Sequence, residues 1–323
     1  MRVLRSLDAA GPLRGCAVAI GNFDGVHLGH QRLFAIARER AARRGARSAL
    51  LTFDPHPVRV LRPSMAPPAL TPLPRKLELA SALGLDAAVV QPFDRAWAAT
   101  SAADFVARDL AGKLGAAEVV VGYDFTAGHE RARVEALRAL LAARGMELHV
   151  VEPVTSEGLT VSSTKIREFL LEGNVEAAAV LLTRSHDVDA PVERGAGLGR
   201  GLGFPTANLR PEAMLPANGV YAVRALVGIR VGEDGVTEAR DATSHEGVCN
   251  VGVKPTVQEG GPVVAEVHLF DFEGRDLHGE RIRVAFARRL RDERRFPSVD
   301  ALRAQIARDV DAARESLRQP PTM

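Results

Sequence analysis

The sequence predicts an α/β domain built on a parallel sheet, followed by an antiparallel β domain that ends in a helix. The length of 323 residues is sufficient for two domains. In the first half, short apolar runs alternate with helical stretches, which is typical of parallel sheets. In the second half, strands of alternating polarity are separated by turn signals. We place the boundary after residue 185, which gives domains 1–185 and 186–323.

Composition and charge favour a cytoplasmic globular protein without a nucleic-acid or membrane partner. Hydrophobic residues make up 46% and charged residues 25%, as in ordinary globular proteins. A net charge of +2 provides no strong field for nucleic acid or a membrane surface, so neither is expected as a partner. No apolar run approaches the ~20 residues that span a bilayer, and the first residues lack a signal-peptide core. Cys16 and Cys249 show no metal or redox spacing, which favours a reduced, cytoplasmic protein.

Five apolar runs in the first half are predicted to be parallel strands buried on both faces. They are Ala17–Ile20, 48–53, 87–91, Glu118–Gly122 and Glu147–Val151. Helices are predicted at 30–44, 101–114 and 131–144, the second with a capping-box spacing at Ser101 and Asp104. Because prolines concentrate between Pro55 and Pro74, that stretch is predicted to be a loop over the sheet edge. Two short helices, 165–171 and Val175–Leu182, close this half.

The second half predicts an antiparallel barrel or sandwich. Strand patterns occupy residues 219–231, 263–272 and 281–290, with glycine-containing turns between them. A final helix over 298–317 is predicted from one apolar stripe, which consists of Leu302, Ile306, Val310, Ala313 and Leu317.

A motif at the end of the first strand predicts a phosphate site. Residues 21–30, Gly-Asn-Phe-Asp-Gly-Val-His-Leu-Gly-His, join this strand to the first helix. Open α/β sheets bind ligands at the carboxyl ends of their strands, and helix N-termini attract phosphate. His27 and His30 can donate hydrogen bonds to a phosphate whose charge grows during reaction. Simple helix capping is the alternative, but the histidines, glycines and strand-to-helix context together favour a ligand site. The spacing resembles the signature of nucleotidyltransferases and class I aminoacyl-tRNA synthetases.

A second segment, residues 161–167, places three hydroxyls before a short helix, with Lys165 and Arg167 in its first turn. One hydroxyl is enough for an N-cap, and cations oppose the helix dipole there, so we expect an anion to bind. Segments 52–57 and 122–128 also follow strands. We expect these strand ends to converge on one crevice. No phosphate-binding P-loop motif occurs.

A third motif lies in the second half, where glycines alternate from Gly195 to Gly203 and precede Phe-Pro-Thr-Ala-Asn. A flexible surface loop is the simplest interpretation. Glycine also lets main-chain N–H groups approach a phosphate, and the oxygens of Thr206 and Asn208 suit Mg²⁺. Glu266 lies in an alternating strand, where a carboxylate can also simply face water.

In this order, together with Asn-Val-Gly-x-x-Pro-Thr at residues 250–256, these segments resemble the bacterial bifunctional riboflavin kinase/FAD synthetase family from about residue 18 to 313. The resemblance implies a Rossmann-like nucleotidyltransferase domain that transfers AMP from ATP to FMN, giving FAD. It implies a second, β-barrel domain that phosphorylates riboflavin to FMN with ATP. Mg²⁺ is the implied metal in both domains.

The same resemblance assigns residues to roles. For adenylyl transfer it implies His27, His30 and Arg167 as catalytic residues, and as ATP-binding residues Gly21, Asn22, Phe23, Asp24, Gly29, Asp124, Ser163 and Thr164. For the kinase it implies Glu266 as the base toward the ribityl 5′-hydroxyl and Thr206 and Asn208 as metal ligands. Its ATP- and flavin-binding residues would be Gly199, Arg200, Gly203, Pro205, Arg291 and Phe296.

Three positions depart from the family pattern, namely Ala127, Thr183 and His278. Ala127 replaces an aromatic residue near a ring-binding loop, a change expected to weaken flavin stacking. Two alternatives stay open: an enzyme with only one of the two activities, and a flavin-binding regulator without chemistry. The presence of His27, His30, Thr206, Asn208 and Glu266 together argues against the regulator, because a protein that only binds flavin does not need a base.

Overall fold

The apolar strands of the first half form one parallel sheet. In this computed structural model the described residues are 1–195, 198–253, 263–272 and 276–319, and the side chains of Pro12, Leu198 and Arg200 lie outside the description. The strands of this sheet are β1 (Arg2–Leu4), β2 (Ala17–Ile20), β3 (Ser48–Asp54), β4 (Ala87–Pro92), β5 (Glu118–Gly122) and β6 (Glu147–Val151). Within the described ranges their order is β1-β4-β3-β2-β5-β6, and each pairing is parallel. β1 lies outside the predicted strands and pairs with β4 at the sheet edge.

Both faces of the sheet are buried, as the continuous apolar runs predict. Val18 and Leu51 point into one apolar cluster, and Ala19 and Leu50 point into the other, because successive strand residues face opposite sides. β2 lies between β3 and β5, so the chain reverses its direction across the sheet there. Ligands of open α/β sheets bind at such a switch point, beside the carboxyl ends of the strands. The loops after β2 and β5 are therefore placed to bind a ligand.

The helices largely follow the predicted segments. Their bounds are α1 (Leu28–Arg43), α2 (Pro57–Leu61), α3 (Leu73–Ala82), α4 (Arg95–Ala98), α5 (Ala102–Asp104), α6 (Val134–Ala142), α7 (Ser163–Leu171), α8 (Val175–Leu182), α9 (Leu198–Gly201) and α10 (Val299–Arg318). A π-helix, Phe105–Leu114, continues α5, and the Ser101 hydroxyl accepts from the Asp104 N–H at 3.0 Å, as the cap predicts. α6 begins later than predicted because Arg131 has a φ of 55°. No helix in the described ranges has the length and apolar character to cross a bilayer.

The proline-rich stretch is only partly the predicted loop. Pro57 begins α2, since the fixed φ of proline suits the first turn of a helix. Pro63–Met65 forms a 3₁₀ turn. α3 follows at once, and its buried side consists of Lys76, Leu77 and Ala80. The loop prediction is therefore wrong for these short helical pieces.

The second half contains a closed antiparallel barrel, which decides between the barrel and the sandwich. A short hairpin precedes the barrel in the chain, and its strands β7 (Thr155–Ser156) and β8 (Leu159–Thr160) have two residues each. The later strands are β9 (His186–Glu193), β10 (Ala207–Leu209), β11 (Gly219–Val227), β12 (Arg230–Val231), β13 (Thr237–Glu238), β14 (Thr243–Val253), β15 (Val263–Leu269) and β16 (Arg281–Arg291). The barrel order is β10-β15-β14-β11-β16-β9, and β12 and β13 form a separate hairpin. Tyr221, Val223 and Phe286 are fully buried in the barrel strands.

The C-terminal helix packs on a stripe that matches the predicted one only in part, at Ala313 and Leu317. Ser298 caps α10 by accepting from the Ala301 N–H at 3.1 Å. The buried positions of α10 are Gln305, Asp309, Ala313 and Leu317, whereas Leu302, Ile306 and Val310 are half-buried. The reason is an ion pair, because Arg291 of β16 donates to both carboxylate oxygens of Asp309, at 2.9 and 2.6 Å.

Contacts divide the chain into two compact units. The first is Met1–Pro67, Leu73–Val161 and Asp234–Val236, and the second is Pro68–Pro72, Ser162–Glu233 and Thr237–Met323. α7 and α8 therefore group with the barrel, although the predicted boundary follows residue 185.

Arg283 of β16 and Asp189 of β9 form a buried ion pair. The Nε and Nη2 atoms of Arg283 donate to the two carboxylate oxygens at 2.7 and 2.8 Å, and Arg283 is 5% exposed. Arg283→Met leaves a buried carboxylate without this partner, so we expect a loss of about 3–5 kcal/mol in the free energy of unfolding, measured with urea. Arg210→Met, at an exposed position, is expected to change it by less than about 0.5 kcal/mol. Equal effects of the two variants would contradict a stabilising role for the pair.

Candidate active sites

The turn between β2 and α1, residues 21–30, carries the two predicted histidines. His27 is the N-cap of α1, and its Nδ1 accepts a hydrogen bond from the backbone N–H of His30 at 3.4 Å. A neutral imidazole whose Nδ1 accepts carries its proton on Nε2. His27 therefore caps α1, as the alternative interpretation expected. The same hydrogen bond favours the neutral tautomer of His27 that can donate from Nε2 to a phosphate oxygen.

The imidazole rings of His27 and His30 stack on each other. Their centroids are 3.6 Å apart with planes inclined by 19°, and the Phe23 ring meets His30 edge-on at 5.4 Å. The Nδ1 atom of His30 is buried and has no hydrogen-bond partner among the described residues. Burial lowers the pKa of His30 well below its ordinary value, with smaller contributions from His27 and Lys76. His30 is therefore a neutral hydrogen-bonding group at neutral pH.

Close contacts explain two of the predicted glycines in this turn. A Cβ on Gly29 would lie 3.2 Å from the ring of His27, and a Cβ on Gly21 would lie 3.1 Å from the ring of Phe23. Such distances are shorter than ordinary carbon contacts of ~3.5–4.0 Å. The glycine between the two histidines thus lets the His27 ring lie against the first turn of α1.

Lys76 on α3 belongs to this site, although no motif predicts it. Its Nζ donates to the carbonyl oxygen of Asn22 at 2.6 Å, and the side chain is 7% exposed. Burial lowers the pKa of Lys76, and the carboxylates of Asp24 and Asp54 oppose that shift. The signal that could have revealed it is a lysine on the apolar stripe of an amphipathic helix.

The loop after β5 neighbours the turn after β2, because these two strands pair in parallel. Asp124 in this loop is exposed, and a Cβ on Gly122 would lie 3.1 Å from its Oδ1. Ala127 is 3% exposed and packs in the core of the first unit. The departure from the family pattern at Ala127 therefore lies at a packing position.

The start of α7 is capped by Ser162, whose hydroxyl accepts from the Lys165 N–H at 3.1 Å. The Nζ of Lys165 pairs with the carboxylate of Glu168 at 2.9 Å. An acidic partner in the same helix therefore balances Lys165. The expectation that Lys165 requires an anion is not supported.

The three predicted triphosphate ligands of α7 lie in the second unit. Ser163 and Thr164 occupy its first turn, and Thr164 is exposed. The Nε of Arg167 donates to the carbonyl oxygen of Pro68 at 3.0 Å. His27, His30 and Asp124 belong to the first unit.

Three polar residues lie at paired positions on three adjacent strands of the barrel. Glu266 of β15 is directly paired with Asn208 of β10 and with Asn250 of β14. Directly paired residues of antiparallel strands point to the same face of a sheet. A carboxylate is thus flanked by two amides, on the opposite face of β15 from the buried Ala265 and Val267. Asn250 belongs to the motif at residues 250–256, whose last three residues lie outside the described chain.

Two glycines lie against Asn208 and Thr206, the metal-ligand candidates of this unit. A Cβ on Gly195 would collide with the side-chain amide of Asn208, and one on Gly199 would lie 3.2 Å from the Thr206 hydroxyl. Asn208 is 6% exposed, and its Oδ1 has no hydrogen-bond partner in the described part of the chain. The Nδ1 of His268 donates to the carbonyl oxygen of Pro205 at 2.9 Å, which anchors the segment before β10.

Arg291 and Phe296, predicted beside the flavin, are neighbours of each other. The guanidinium carbon of Arg291 lies 5.8 Å from the centre of the Phe296 ring. The ion pair with Asp309 fixes Arg291 to α10, so it has a structural partner there. Gly203 has a φ of 88°, a conformation that favours glycine. The side chain of Arg200 lies outside the described residues.

Two family models match the chain. The model described as FAD synthetase matches residues 10–165, and the model described as riboflavin kinase matches residues 182–317. The fold and the matches define a two-domain transferase.

Curated relatives match almost the whole chain. The bifunctional riboflavin kinase/FMN adenylyltransferase of Pseudomonas fluorescens is 38% identical over 97% of this chain and 97% of its own length. The one of Escherichia coli K12 is 36% identical over 98% and 97%. A crystal structure of a Streptococcus pneumoniae protein named a macrolide-efflux protein is similar with a TM-score of 0.83 at 29% identity, over 97% of this chain and 98% of that one. The chain belongs to the bifunctional riboflavin kinase/FMN adenylyltransferase family.

Both activities follow from this membership. The enzyme phosphorylates riboflavin to FMN and adenylylates FMN to FAD, using ATP for each step. The FAD synthetase domain is N-terminal and the riboflavin kinase domain is C-terminal. The predicted family, fold class and reactions are confirmed. The roles of the individual site residues stay predictions.

Gly195→Ala tests whether glycine is needed beside Asn208. The added methyl group must displace the Asn208 amide, so we expect kcat/KM for riboflavin phosphorylation to fall by at least about 10-fold, since displacements near 1 Å can cost ~10²-fold. Gly201→Ala is the matched control, because nothing lies within 4 Å of a Cβ there. Steady-state kinetics with riboflavin as the varied substrate measure the difference. Similar kinetics of the two variants would argue against this contact.

Proposed function

We propose that the 21–30 turn binds the triphosphate of ATP, and that His27 and His30 stabilise the charge that develops during AMP transfer. The stacked imidazole pair at the N-terminus of α1 carries this proposal. The first N–H groups of a helix are unpaired and its dipole is positive at that end, so both attract phosphate. One preorganised donor at a developing charge is worth roughly 10²–10³-fold in rate.

The FMN phosphate acts as the nucleophile in this reaction. One of its oxygens attacks the α-phosphorus of ATP, the bond to the oxygen that bridges toward the β-phosphorus breaks, and pyrophosphate leaves. A phosphate monoester carries about −1.5 to −2 charges at neutral pH, so no protein base is required. Alignment and charge stabilisation then supply the catalysis. In this proposal Gly21, Asn22, Phe23, Asp24, Gly29 and Asp124 contact ATP, and Ser163, Thr164 and Arg167 bind its phosphates.

For the kinase, we propose that Glu266 removes the proton from the ribityl 5′-hydroxyl. The hydroxyl oxygen then attacks the γ-phosphorus of ATP, and ADP leaves. The position of Glu266 between Asn208 and Asn250 supports this role, because amides orient a carboxylate without neutralising it. A positioned base contributes roughly 10²–10⁴-fold. The glycine-rich segment with Gly199, Arg200, Gly203 and Pro205 would contact ATP, and Arg291 and Phe296 would lie near the flavin.

We further propose that Thr206 and Asn208 hold Mg²⁺ in the kinase domain. The buried Asn208 Oδ1 without a partner among the described residues fits an oxygen ligand of this metal. When bound, the ion neutralises phosphate charge and orients the triphosphate.

The domain limits and the location complete the proposal. We place the boundary between domains 1–185 and 186–323, and the riboflavin kinase match that begins at residue 182 supports a boundary in this region. Burial raises the pKa of the Cys16 thiol to about 12, and Cys249 is also a free, buried thiol. Two free thiols suit the reducing cytoplasm. The net charge of +2 favours small-molecule substrates over nucleic acid or membranes.

His30→Ala should abolish most FAD formation and spare the kinase. Loss of one hydrogen-bond donor to the reacting phosphates of ATP is expected to lower kcat for FMN adenylylation by roughly 10²–10³-fold. Pyrophosphate release with FMN and ADP release with riboflavin are measured on the same preparation. Equal loss of both activities would mean that the two sites are not separable.

Glu266→Ala should have the opposite effect. Without the base, kcat for riboflavin phosphorylation is expected to fall by roughly 10²–10⁴-fold, while FMN adenylylation is kept. Glu238→Ala, an exposed glutamate of the same unit on β13, is the matched control and should keep both activities. Full kinase activity in Glu266→Ala would exclude Glu266 as the base.

A further inference from the structure

Lys76 holds an ammonium group beneath the 21–30 turn, away from water. The side chain is 7% exposed, and its Nζ donates to the carbonyl oxygen of Asn22 at 2.6 Å. That distance is in the range of charge-assisted hydrogen bonds, which are stronger than neutral ones. An ammonium ion is expensive to bury unless it is paired and hydrogen-bonded. A lysine on the apolar side of α3 therefore needs a reason beyond packing.

The charges around Lys76 belong to the same end of the sheet. Asp24 lies in the 21–30 turn and Asp54 ends β3, and both favour the charged form of Lys76. Lys76 in turn contributes to the lowered pKa of His30. The ammonium group thus interacts electrostatically with two residues of the turn that we assign to ATP.

The carbonyl group of Asn22 is where the strained part of the turn begins. The next residue, Phe23, has a φ of 51°, and Val26 has a φ of 45°. Besides Lys76, the hydroxyl of Thr52 donates to the same carbonyl oxygen at 3.4 Å. These two donors hold the strained segment from the side of the sheet and of α3.

We propose that Lys76 is a positioning residue for adenylyl transfer, whose hydrogen bond to Asn22 holds the turn in the geometry that aligns His27 and His30 with the phosphates of ATP around the attacked α-phosphorus. This inference rests on the proposed role of that turn. Lys76 acts through the backbone of Asn22, so its loss should affect the transition state more than the binding of substrates. Binding that is equal in both states changes KM, whereas alignment of the reacting groups changes kcat.

The test compares Lys76→Met and Lys76→Arg in the full chain. Methionine keeps an unbranched stem without the donor, and misalignment near 1 Å predicts a fall in kcat for FMN adenylylation of roughly 10²-fold. KM for FMN should stay within about threefold, because the 21–30 turn is assigned to ATP and not to FMN. Arginine keeps a charged donor, so kcat of Lys76→Arg should be at least about 10-fold higher than kcat of Lys76→Met. Riboflavin phosphorylation on the same preparation, expected to be unchanged, reports that the chain is intact.

Lys113→Met is the matched control. Lys113 lies in the same unit and pairs with Asp8 at 2.8 Å, outside the 21–30 turn. It should keep the wild-type kcat for FMN adenylylation. A wild-type kcat in Lys76→Met, even with a lower melting temperature, would reduce Lys76 to a structural residue and overturn the proposal. A raised KM for ATP at unchanged kcat would overturn it too, because it would indicate direct substrate binding.

Two further variants keep the outcomes distinct. If Lys76→Met does not fold, Thr52→Val removes the other donor to Asn22 and should lower kcat by about 3- to 10-fold, as expected for one neutral hydrogen bond of ~1 kcal/mol; an unchanged kcat would contradict the proposal. His30→Ala is measured in parallel. FAD formation that survives in His30→Ala would refute the assigned site itself. If His30→Ala loses FAD formation while Lys76→Met keeps a normal kcat, only the role of Lys76 is refuted.

Discussion

The first unit depends on a turn whose backbone is strained. Phe23 and Val26 hold positive φ angles without being glycine, and such residues store on the order of 1–3 kcal/mol each. Strain of this size persists only where the surroundings over-determine the conformation. Phe23 is 1% exposed and its ring packs against Phe34 at a centroid distance of 4.7 Å, and Gln31 donates to the Val26 carbonyl at 3.0 Å. The same contacts set the direction of α1 and place His27 at its N-cap. The packing of Phe23, the backbone strain at Phe23 and Val26, and the position of His27 therefore depend on one another in this turn.

The second unit depends instead on strand register. A shift of one residue between β10 and β15 would turn Glu266 to the face opposite Asn208, because side chains alternate along a strand. The register is set by the buried partners on the other face, such as Ala265 paired with Leu209 and Val267 paired with Ala207. The apolar interior of the barrel thus determines which polar groups meet outside it. Glycine at position 195 then leaves room for the Asn208 side chain.

The parts of this molecule that were predictable are those with a local signal. Apolar runs marked β2 and β5, and the motif at 21–30 lay at a strand end, so fold class and candidate site followed from neighbouring residues. Lys76 and the place of Asn250 escaped prediction because their partners, Asn22 and Glu266, lie on other elements that only tertiary pairing brings close. β14 carries Ser244, His245 and Glu246 and shows no clear apolar pattern. The predicted stripe of α10 was confirmed at Ala313 and Leu317 but did not include Asp309, because the ion pair with Arg291 buries a charged position.

The two sets of candidate residues differ because the two nucleophiles differ. The riboflavin hydroxyl must lose a proton to attack phosphorus, so the kinase domain requires a base, and a carboxylate between two amides suits that task. The FMN phosphate is already ionised and repels the triphosphate that it attacks, so the adenylyltransferase domain needs hydrogen-bond donors and positive charge. We propose that the stacked His27–His30 pair and the nearby Lys76 meet that need, whereas a carboxylate base in their place would add to the repulsion. Opposite electrostatic requirements therefore favour two separate sets of site residues for the two reactions.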